Sequence, residues 1–439
     1  MAGRVRPLLK LLSMIALVAL CGCAPQIQLP DDGGVPPAID NGDTDALRPD
    51  LDIAGLAGVL QPANWSLNFA DAVSTALAPD GSQVAVVGLL PAGRWRSFVL
   101  QVYDRDASLL WQHKFEDAAF RSGWVRFFGD SQCLAVGAFY YSGAGVVHLF
   151  TRDGLPLWKQ PVHGPTEAAM PAAGDRVALV DHGAGLLLLL TGSGGEVARF
   201  TVGADATVRF VANGTLLLAR DRERVFSVDD QGRCVWQYQL GSGGVQDVAI
   251  AGDGSIIAAT TGDADSTVYA FDSRGQLIWR YVLYPGGTNQ LAFSPAAGLL
   301  AVYDVGRNAG LYLFHAATGE LLWRVFVKPV PGLHHALRGV CFATGWGIAA
   351  EYVTAPESSR DVREEHELVL FREDGTAEWS RKLGTNVDVC FSANAAAAVV
   401  GSAPVIGQVN MLSTTVQYLD FSPLMPAAPT EQAASGGSV

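Results

Sequence analysis

A tryptophan standing four residues after a glycine, repeated at intervals of about forty residues and preceded by short apolar runs, predicts an all-β fold of the β-propeller kind. The pairs are Gly154/Trp158, Gly232/Trp236, Gly275/Trp279, Gly319/Trp323 and Gly375/Trp379, and Ala107/Trp111 lacks only the glycine. The apolar runs, such as Val84 to Val87 and Ile256 to Ala259, show no alternation, which marks strands covered on both faces.

Each element follows from local chemistry. Around Trp279 the chain reads Val268-Tyr269-Ala270-Phe271-Asp272-Ser273-Arg274-Gly275-Gln276-Leu277-Ile278-Trp279, two β-rich runs about a tight turn. The glycine supplies positive φ, and Asp272 accepts backbone hydrogen bonds there. The tryptophan then falls at a fixed place in the outer strand, where its ring buries ~150–250 Å² against the neighbouring sheet. Between Trp158 and Trp236 lie 78 residues, about twice the period, and midway Gly195 to Arg199 occupies the cassette with Arg199 in the tryptophan slot. With this unit and Trp65 included, positions 65, 111, 158, 199, 236, 279, 323 and 379 give eight sheet units. The last stretch, Thr414 to Phe421, has no outer strand with its own tryptophan, whereas the repeats begin with one at Trp65. The N-terminal strand is therefore expected to close the last blade, which removes exposed sheet edges. A seven-bladed ring with one unit left as decoration is the alternative.

Ahead of the repeats, Arg4, Arg6 and Lys10 precede the apolar Leu11 to Leu20 and then small residues before cysteine, the pattern of a secretory signal. The apolar run is too short to span a bilayer permanently. Leu20-Cys21-Gly22-Cys23 resembles the lipid-acceptor site of bacterial lipoproteins, with Cys23 as acceptor because Leu20 is too bulky for the cleavage position before Cys21. The expected plan is a signal peptide over 1–22, a flexible tether over 23–50 rich in Pro, Asp, Gly and Asn, a propeller over 51–422 and a disordered tail over 423–439. The whole chain carries a formal charge of −13. Without residues 1–22 it has 27 basic and 43 acidic residues, a charge of −16. That balance disfavours nucleic acid and anionic head groups, so membrane contact is expected through the lipid on Cys23 alone, with the ring monomeric. Cys133, Cys234, Cys341 and Cys390 form no CxxC and read as small buried thiols. Cys341 with Cys390 is the one pair worth testing as a disulfide between neighbouring blades.

The run Leu311-Tyr312-Leu313-Phe314-His315-Ala316-Ala317-Thr318-Gly319-Glu320-Leu321-Leu322-Trp323 resembles the PQQ-like propeller repeat, an apolar strand, a Thr-Gly turn and an aliphatic run ending in tryptophan. The other copies shorten the turn to Asp-x-x-Gly, which is similar to WD40-type propellers. The match covers most of residues 60 to 420. With the lipid-acceptor motif, the chain is most similar in architecture to the propeller lipoproteins of the outer-membrane β-barrel assembly machine. That resemblance implies a non-catalytic scaffold at the extracytoplasmic face of a bacterial membrane, binding envelope or extracellular proteins. Quinoprotein dehydrogenases use a similar repeat, with adjacent cysteines and a calcium ion at their sites, and the mature chain has no adjacent cysteine pair. An Asp-box reading fails because tryptophan falls one residue too far from glycine, and no GxSxG, HExxH or P-loop occurs. No catalytic residue, cofactor or metal is therefore expected. The alternative is a quinone-dependent oxidoreductase or hydrolase with its site in the funnel.

Candidate partner-binding residues fall on one face. In a four-stranded blade the inner-to-middle and third-to-outer turns share one face, and the interblade links and middle-to-third loops share the other, called here the link face. His163 and the pair His334-His335 are expected in interblade links, and Arg94-Trp95-Arg96 in a middle-to-third loop. The charged insertion Glu351 to Glu367, with Arg360 and Arg363, is expected as a solvated loop and stretches the interval from Trp323 to Trp379 to 56 residues. Loops carry function on rigid scaffolds, and a tryptophan flanked by arginines suits a binding hot spot.

Overall fold

The computed structural model describes residues 51–421 apart from 53–58, 61–62, 70, 93–94, 116–119, 129–130, 172–174, 212–215, 222–223, 241–243, 263–265, 284–288, 306–309, 344–346, 358–363, 386, 393–396 and 403–413. The signal peptide, Cys23, the tether and the tail expected over 423–439 lie outside the described residues.

Eight blades form a ring, and no helix occurs among the described residues. Blade 1 spans residues 71–114, blade 2 120–162, blade 3 166–201, blade 4 207–239, blade 5 245–282, blade 6 289–325 and blade 7 333–385. Blade 8 is composite. Residues 387–420 supply three strands, and Trp65–Phe69 is the outer fourth, antiparallel to Thr414–Asp420 with Trp65 opposite Tyr418. The Trp65 ring stacks on Tyr418 at 5.7 Å, and Asn64 Oδ1 accepts the Asp420 amide at 2.7 Å. The two ends of the ring thus hold one sheet together, which settles the count at eight rather than seven. Middle strands are buried along their length, as in Ile256–Thr261, because both faces meet neighbouring blades. Cys133, Cys234, Cys341 and Cys390 are free thiols, and Cys341 donates to the Ser392 carbonyl at 3.5 Å.

The four-residue offset between glycine and tryptophan has a geometric cause. In blades 1 to 7 the register between third and outer strands shifts by one residue beside the turn. The extra residue, Leu110, Leu157, Val197, Val235, Ile278, Leu322 or Glu378, lies immediately before the cassette position. Such a bulge sharpens the local twist and re-aims the following side chain. The tryptophan then reaches the next blade rather than its own turn. Trp111 Nε1 donates to the Arg152 carbonyl (2.8 Å), Trp158 to Gly192 (2.9 Å), Trp236 to Ser273 (3.2 Å), Trp279 to Ala316 (2.8 Å), Trp323 to Glu373 (2.7 Å) and Trp65 to Arg105 (2.8 Å). In four of these seams the indole lies on the turn glycine of that next blade, Trp111 on Gly154, Trp158 on Gly194, Trp236 on Gly275 and Trp323 on Gly375. Gly154 has φ of 88°, and a Cβ there would sit 2.6 Å from Trp111 Cδ2. Glycine is required twice over, for its dihedral and for its missing Cβ. Ala107 takes the same left-handed turn position with φ of 66°. Trp379 Nε1 has no acceptor among the described residues, and its ring carries the Arg381 guanidinium at 5.2 Å.

Blade 3 corrects one reading of the sequence. Its left-handed turn residue is Gly194, not Gly195, and Val197 is the bulge, so Ala198 and not Arg199 fills the tryptophan slot. Arg199 is exposed and pairs with Glu196 at 2.6 Å. At the seam with blade 4, a Cβ on Gly232 would lie 2.3 Å from Ala198 Cβ, so the methyl occupies the place of an indole.

The chain reaches blade 8 by running along the outer rim. The Leu51 amide donates to the Phe326 carbonyl (2.7 Å) and the Lys328 amide to the Leu51 carbonyl (2.8 Å), a parallel bridge beside blade 6. Val59–Leu60 then pairs in parallel with Arg381 and Lys382, making a fifth strand on blade 7.

Two outcomes are expected. Replacing a tryptophan by Ala198 forgoes about 3 kcal/mol of apolar burial at the seam of blades 3 and 4. Amides of Glu196–Thr201 should therefore exchange faster than those of Leu277–Val282, and equal protection would count against a weak seam. At the seam of blades 1 and 2, His148 stacks on Phe150, with Phe115 at 5.1 Å and His113 at 6.2 Å between ring centroids. Burial, reinforced by the positive charge of His113 and Lys159, lowers its pKa to about 4. The unfolded chain, with a histidine pKa of about 6.5, binds this proton before the folded chain does, so stability falls as pH drops from about 6.5 towards 4. His148→Leu should shrink the loss of melting temperature between pH 7 and pH 4.5, and an unchanged loss would remove His148 as its cause.

Candidate protein-binding faces

The link face is uneven, and strand length is the reason. Strands of four to six residues suffice in blades 3 to 6, whereas Gln83–Ala92 and Trp95–Asp104 in blade 1 run to 10 residues each, and Leu333–Ala343 and Gly347–Pro356 in blade 7 to 11 and 10. The link-face ends of these strands, on either side of composite blade 8, carry most of the candidate residues. Trp95 and Arg96 open the third strand of blade 1, opposite Ala92 and Pro91. Arg94, Arg360 and Arg363 lie outside the described residues. His163 sits in the link between blades 2 and 3, where its amide donates to Asp181 Oδ2 at 2.9 Å and its Nδ1 lies 3.0 Å from the same oxygen. Its ring is exposed while Asp181 is buried.

Two expectations for blade 7 are corrected. His334 and His335 are not in a link but pair with Ala355 and Thr354 inside the sheet, and His335 is buried with Nδ1 2.8 Å from Thr354 Oγ1. The segment Glu351 to Glu367 is not a solvated loop, since residues up to Pro356 and from Glu365 are strand. Glu351, His366 and Glu367 are buried, and Glu351 Oε1 lies 2.7 Å from His366 Nδ1. Arg338 binds Glu364 at 3.1 Å, and Glu364 Oε2 stands 3.7 Å from His366 Nε2. The charges of the insertion fasten the hairpin to itself. No group of three or more His, Cys, Asp or Glu side chains disposed to hold a metal occurs among the described residues.

A second polar system, which the sequence reading missed, crosses the inner strands. Arg126 of blade 2 stands 4.0 Å from Glu167 of blade 3, Glu167 binds Arg209 of blade 4 at 2.6 Å, and Arg209 reaches Asp247 of blade 5 at 3.8 Å. The Asp247 carboxylate also accepts the Leu291 amide of blade 6 at 3.0 Å. Charges alternate because each inner strand presents one residue to each neighbour. Burial raises the Asp247 pKa despite Arg209, whereas the two carboxylates raise that of Arg209 against the effect of burial. The signal in sequence is faint, one charged residue per short inner strand.

The ring of eight blades, with its polar inner strands and its uneven link face, defines a β-propeller of the kind that presents loops from a rigid frame. The family profile described as outer membrane protein assembly factor BamB matches residues 184–328 and 264–415, together more than half of the chain. The chain belongs to that family. No sequence match to a curated protein was found. Among solved structures, the C-terminal WD40 domain of Sif2 superposes with a TM-score of 0.59 at 10% identity, covering 84% of this chain and 99% of that one. Chaetomium thermophilum Sqt1, bound to the N-terminus of a ribosomal protein, gives 0.55 at 13% identity over 83% and 100%. The Dos1 propeller gives 0.53 at 12% over 83% and 95%. At these identities the likeness is one of fold.

Arg209→Ala would leave Glu167 and Asp247, both largely buried, short of their shared cation. The expected cost is about 1–3 kcal/mol, less than for a fully buried pair because Arg209 is partly exposed. A urea midpoint unchanged from wild type would show that the ladder does not hold the blades.

Proposed function

We propose that this ring is a non-catalytic protein-binding scaffold of the bacterial cell envelope, held at an extracytoplasmic membrane surface by lipid on Cys23. The observation that carries the reading is membership of the family described by outer membrane protein assembly. The site geometry supports it. The strands of blades 1 and 7 run longer than those of blades 3 to 6, and in blade 7 charged side chains beside them are spent on ion pairs within the fold. Arg94, Trp95, Arg96, His163, Arg360 and Arg363 are the residues assigned to partner contact. His335, being buried, serves the hairpin instead. Sqt1 is a propeller whose partner contributes a chain terminus, the same type of task.

The test is affinity purification of the lipidated protein from its own membranes after mild crosslinking. Beside it runs a variant with Trp95, Arg96, Arg360 and Arg363 changed to alanine, leaving buried Glu351 and His366 intact. A specific set of envelope proteins, reduced at least several-fold in the variant, is expected. An empty catch, together with a tight, calcium-dependent absorbance change on titration with pyrroloquinoline quinone, would sink the scaffold and favour an oxidoreductase.

A further inference from the structure

The rim of blades 1 and 2 departs from the repeat. The bulge residues before the tryptophans face outward, but only at this seam, among the described residues, is a neighbouring position an exposed leucine as well; Leu277 and Leu321, which match Leu109 in blades 5 and 6, are partly and fully buried. Leu109 and Leu110 of blade 1 are 47% and 45% exposed, and Leu155 and Leu157 of blade 2 are 66% and 45% exposed. They are contiguous across the seam, because Gly154, next to Leu155, lies under the ring of Trp111, next to Leu110. At the other turn glycines the following residue is Gly195, Arg233, Gln276, Glu320 or Thr376.

The outer strand of blade 1, Leu109–Lys114, also has no strand paired along its outer edge among the described residues. The Phe115 amide donates inward to the Phe98 carbonyl at 3.0 Å, so strand alternation turns the amides of Gln112 and Lys114 outward. In blade 2 the position matching Lys114, three residues after the tryptophan, is Pro161, which has no amide hydrogen to offer. The ring shows what such an edge takes. On blade 7 the positions two and three residues after the tryptophan, Arg381 and Lys382, pair in parallel with Val59 and Leu60, and on blade 6 the next position, Val327, bridges Leu51 in parallel. His113, Lys114 and Phe115 are the equivalents on blade 1. The outer strands of blades 1 and 2 carry Lys114 and Lys159 and no acidic side chain, on a chain whose net charge is −13.

We infer that the outer edge of blade 1 receives an extended segment of a partner protein as a parallel fifth strand, apolar at its N-terminal end and acidic at its C-terminal end. The parallel direction lays its first residues over Leu110 and Leu155 and its last beside Lys114. Backbone hydrogen bonds supply affinity in such strand addition, and side-chain complementarity supplies choice. The inference rests on the scaffold reading and gives it a second surface, on the rim rather than the link face.

The test titrates the folded protein with a fluorescein-labelled peptide of alternating leucine and threonine ending in two glutamates, read by anisotropy. Saturable binding is expected, weakened at least tenfold by Leu110→Ser/Leu155→Ser, whose side chains are exposed, and by Lys114→Pro, which copies blade 2. Both variants should keep the wild-type circular dichroism and melting temperature, and Lys114→Ala, which keeps the amide, should bind more tightly than Lys114→Pro. No saturable binding, or equal binding by all proteins, overturns the inference. Dimerisation lost in the leucine variant would make the occupant a second copy. Binding to phosphatidylethanolamine–phosphatidylglycerol vesicles, lost in the leucine variant but not in Lys114→Pro, would make it a membrane. Either result overturns a partner strand. Partners recovered from membranes equally by wild type and both rim variants would overturn the edge and leave the scaffold standing, whereas an empty catch from wild type would remove the scaffold itself.

Discussion

The contact on which the ring depends is an indole of one blade lying on the turn glycine of the next, its N–H bonded to a carbonyl of that turn. Neither residue of a cassette serves its own blade alone. Trp111 packs on Gly154 and Trp236 on Gly275, so the repeat is a chain of seams rather than a chain of sheets. The bulge makes this possible by advancing the tryptophan one residue and turning it sideways out of its sheet. A hydrogen bond alone would contribute about 1 kcal/mol, so most of the seam energy lies in the buried ring area, and the bond chiefly fixes its orientation. Because blades share no continuous ladder except in blade 8, side chains at the seams and strands at the closure are all that keep eight sheets in a circle.

Much of this was legible because it is local. Glycine, aspartate and tryptophan sit within eight residues of one another, and closure by Trp65 followed from counting tryptophans against strands. The errors arose where several residues satisfied the same pattern. Gly194 and Gly195 both fit the turn of blade 3, and only the backbone dihedral and the unseen bulge select Gly194, moving the slot from Arg199 to Ala198. In blade 7, Glu351, His366 and Glu367 read as solvated because charge in an insertion normally is. Their burial comes from strand pairing between residues thirteen to seventeen apart, which no local pattern reports. The inner-strand ladder was invisible for the same reason, since Arg209 is about forty residues from each of Glu167 and Asp247 and meets them only once neighbouring blades pack.

The two polar systems divide the labour of the inner ring. The Arg126–Glu167–Arg209–Asp247 series joins blades 2 to 5, while the Arg338–Glu364–His366–Glu351 series stays within blade 7. Salt bridges of this half-buried kind add little net stability, but removing one member strands the others, so they restrict which register and which neighbour a blade accepts. That restriction matters in a ring of similar repeats, where a blade packed one place out of order would otherwise satisfy the same tryptophan contacts. The ladder lies where blade 3 lacks its tryptophan, between Trp158 and Trp236. Glu167 and Arg209 bind across the seam that Ala198 leaves thin, so an ion pair at the inner edge stands opposite a missing indole at the outer one.

The N-terminal segment explains why the rim is not uniform. From Leu51 to Trp65 the chain meets the outer edges of blades 6, 7 and 8 in turn, gaining one blade for every seven or so residues. The last of these contacts is a full ladder and closes the ring, while the first two are short and parallel and do not. A segment that only needed to close the ring could enter blade 8 directly. Its earlier contacts cover edges that would otherwise present unpaired backbone groups, and edges left open invite association unless charge, proline or a bulge blunts them. Blade 2 uses proline and blades 6 and 7 use the chain itself. Blade 1 has the bulge of blades 1 to 7 but no proline in its outer strand and no covering segment among the described residues, and its exposed Leu109 and Leu110 adjoin Leu155 and Leu157 of blade 2. The same logic that closes the circle by an added strand therefore leaves one place on the rim where a strand from elsewhere meets apolar surface, free amides and a lysine at once.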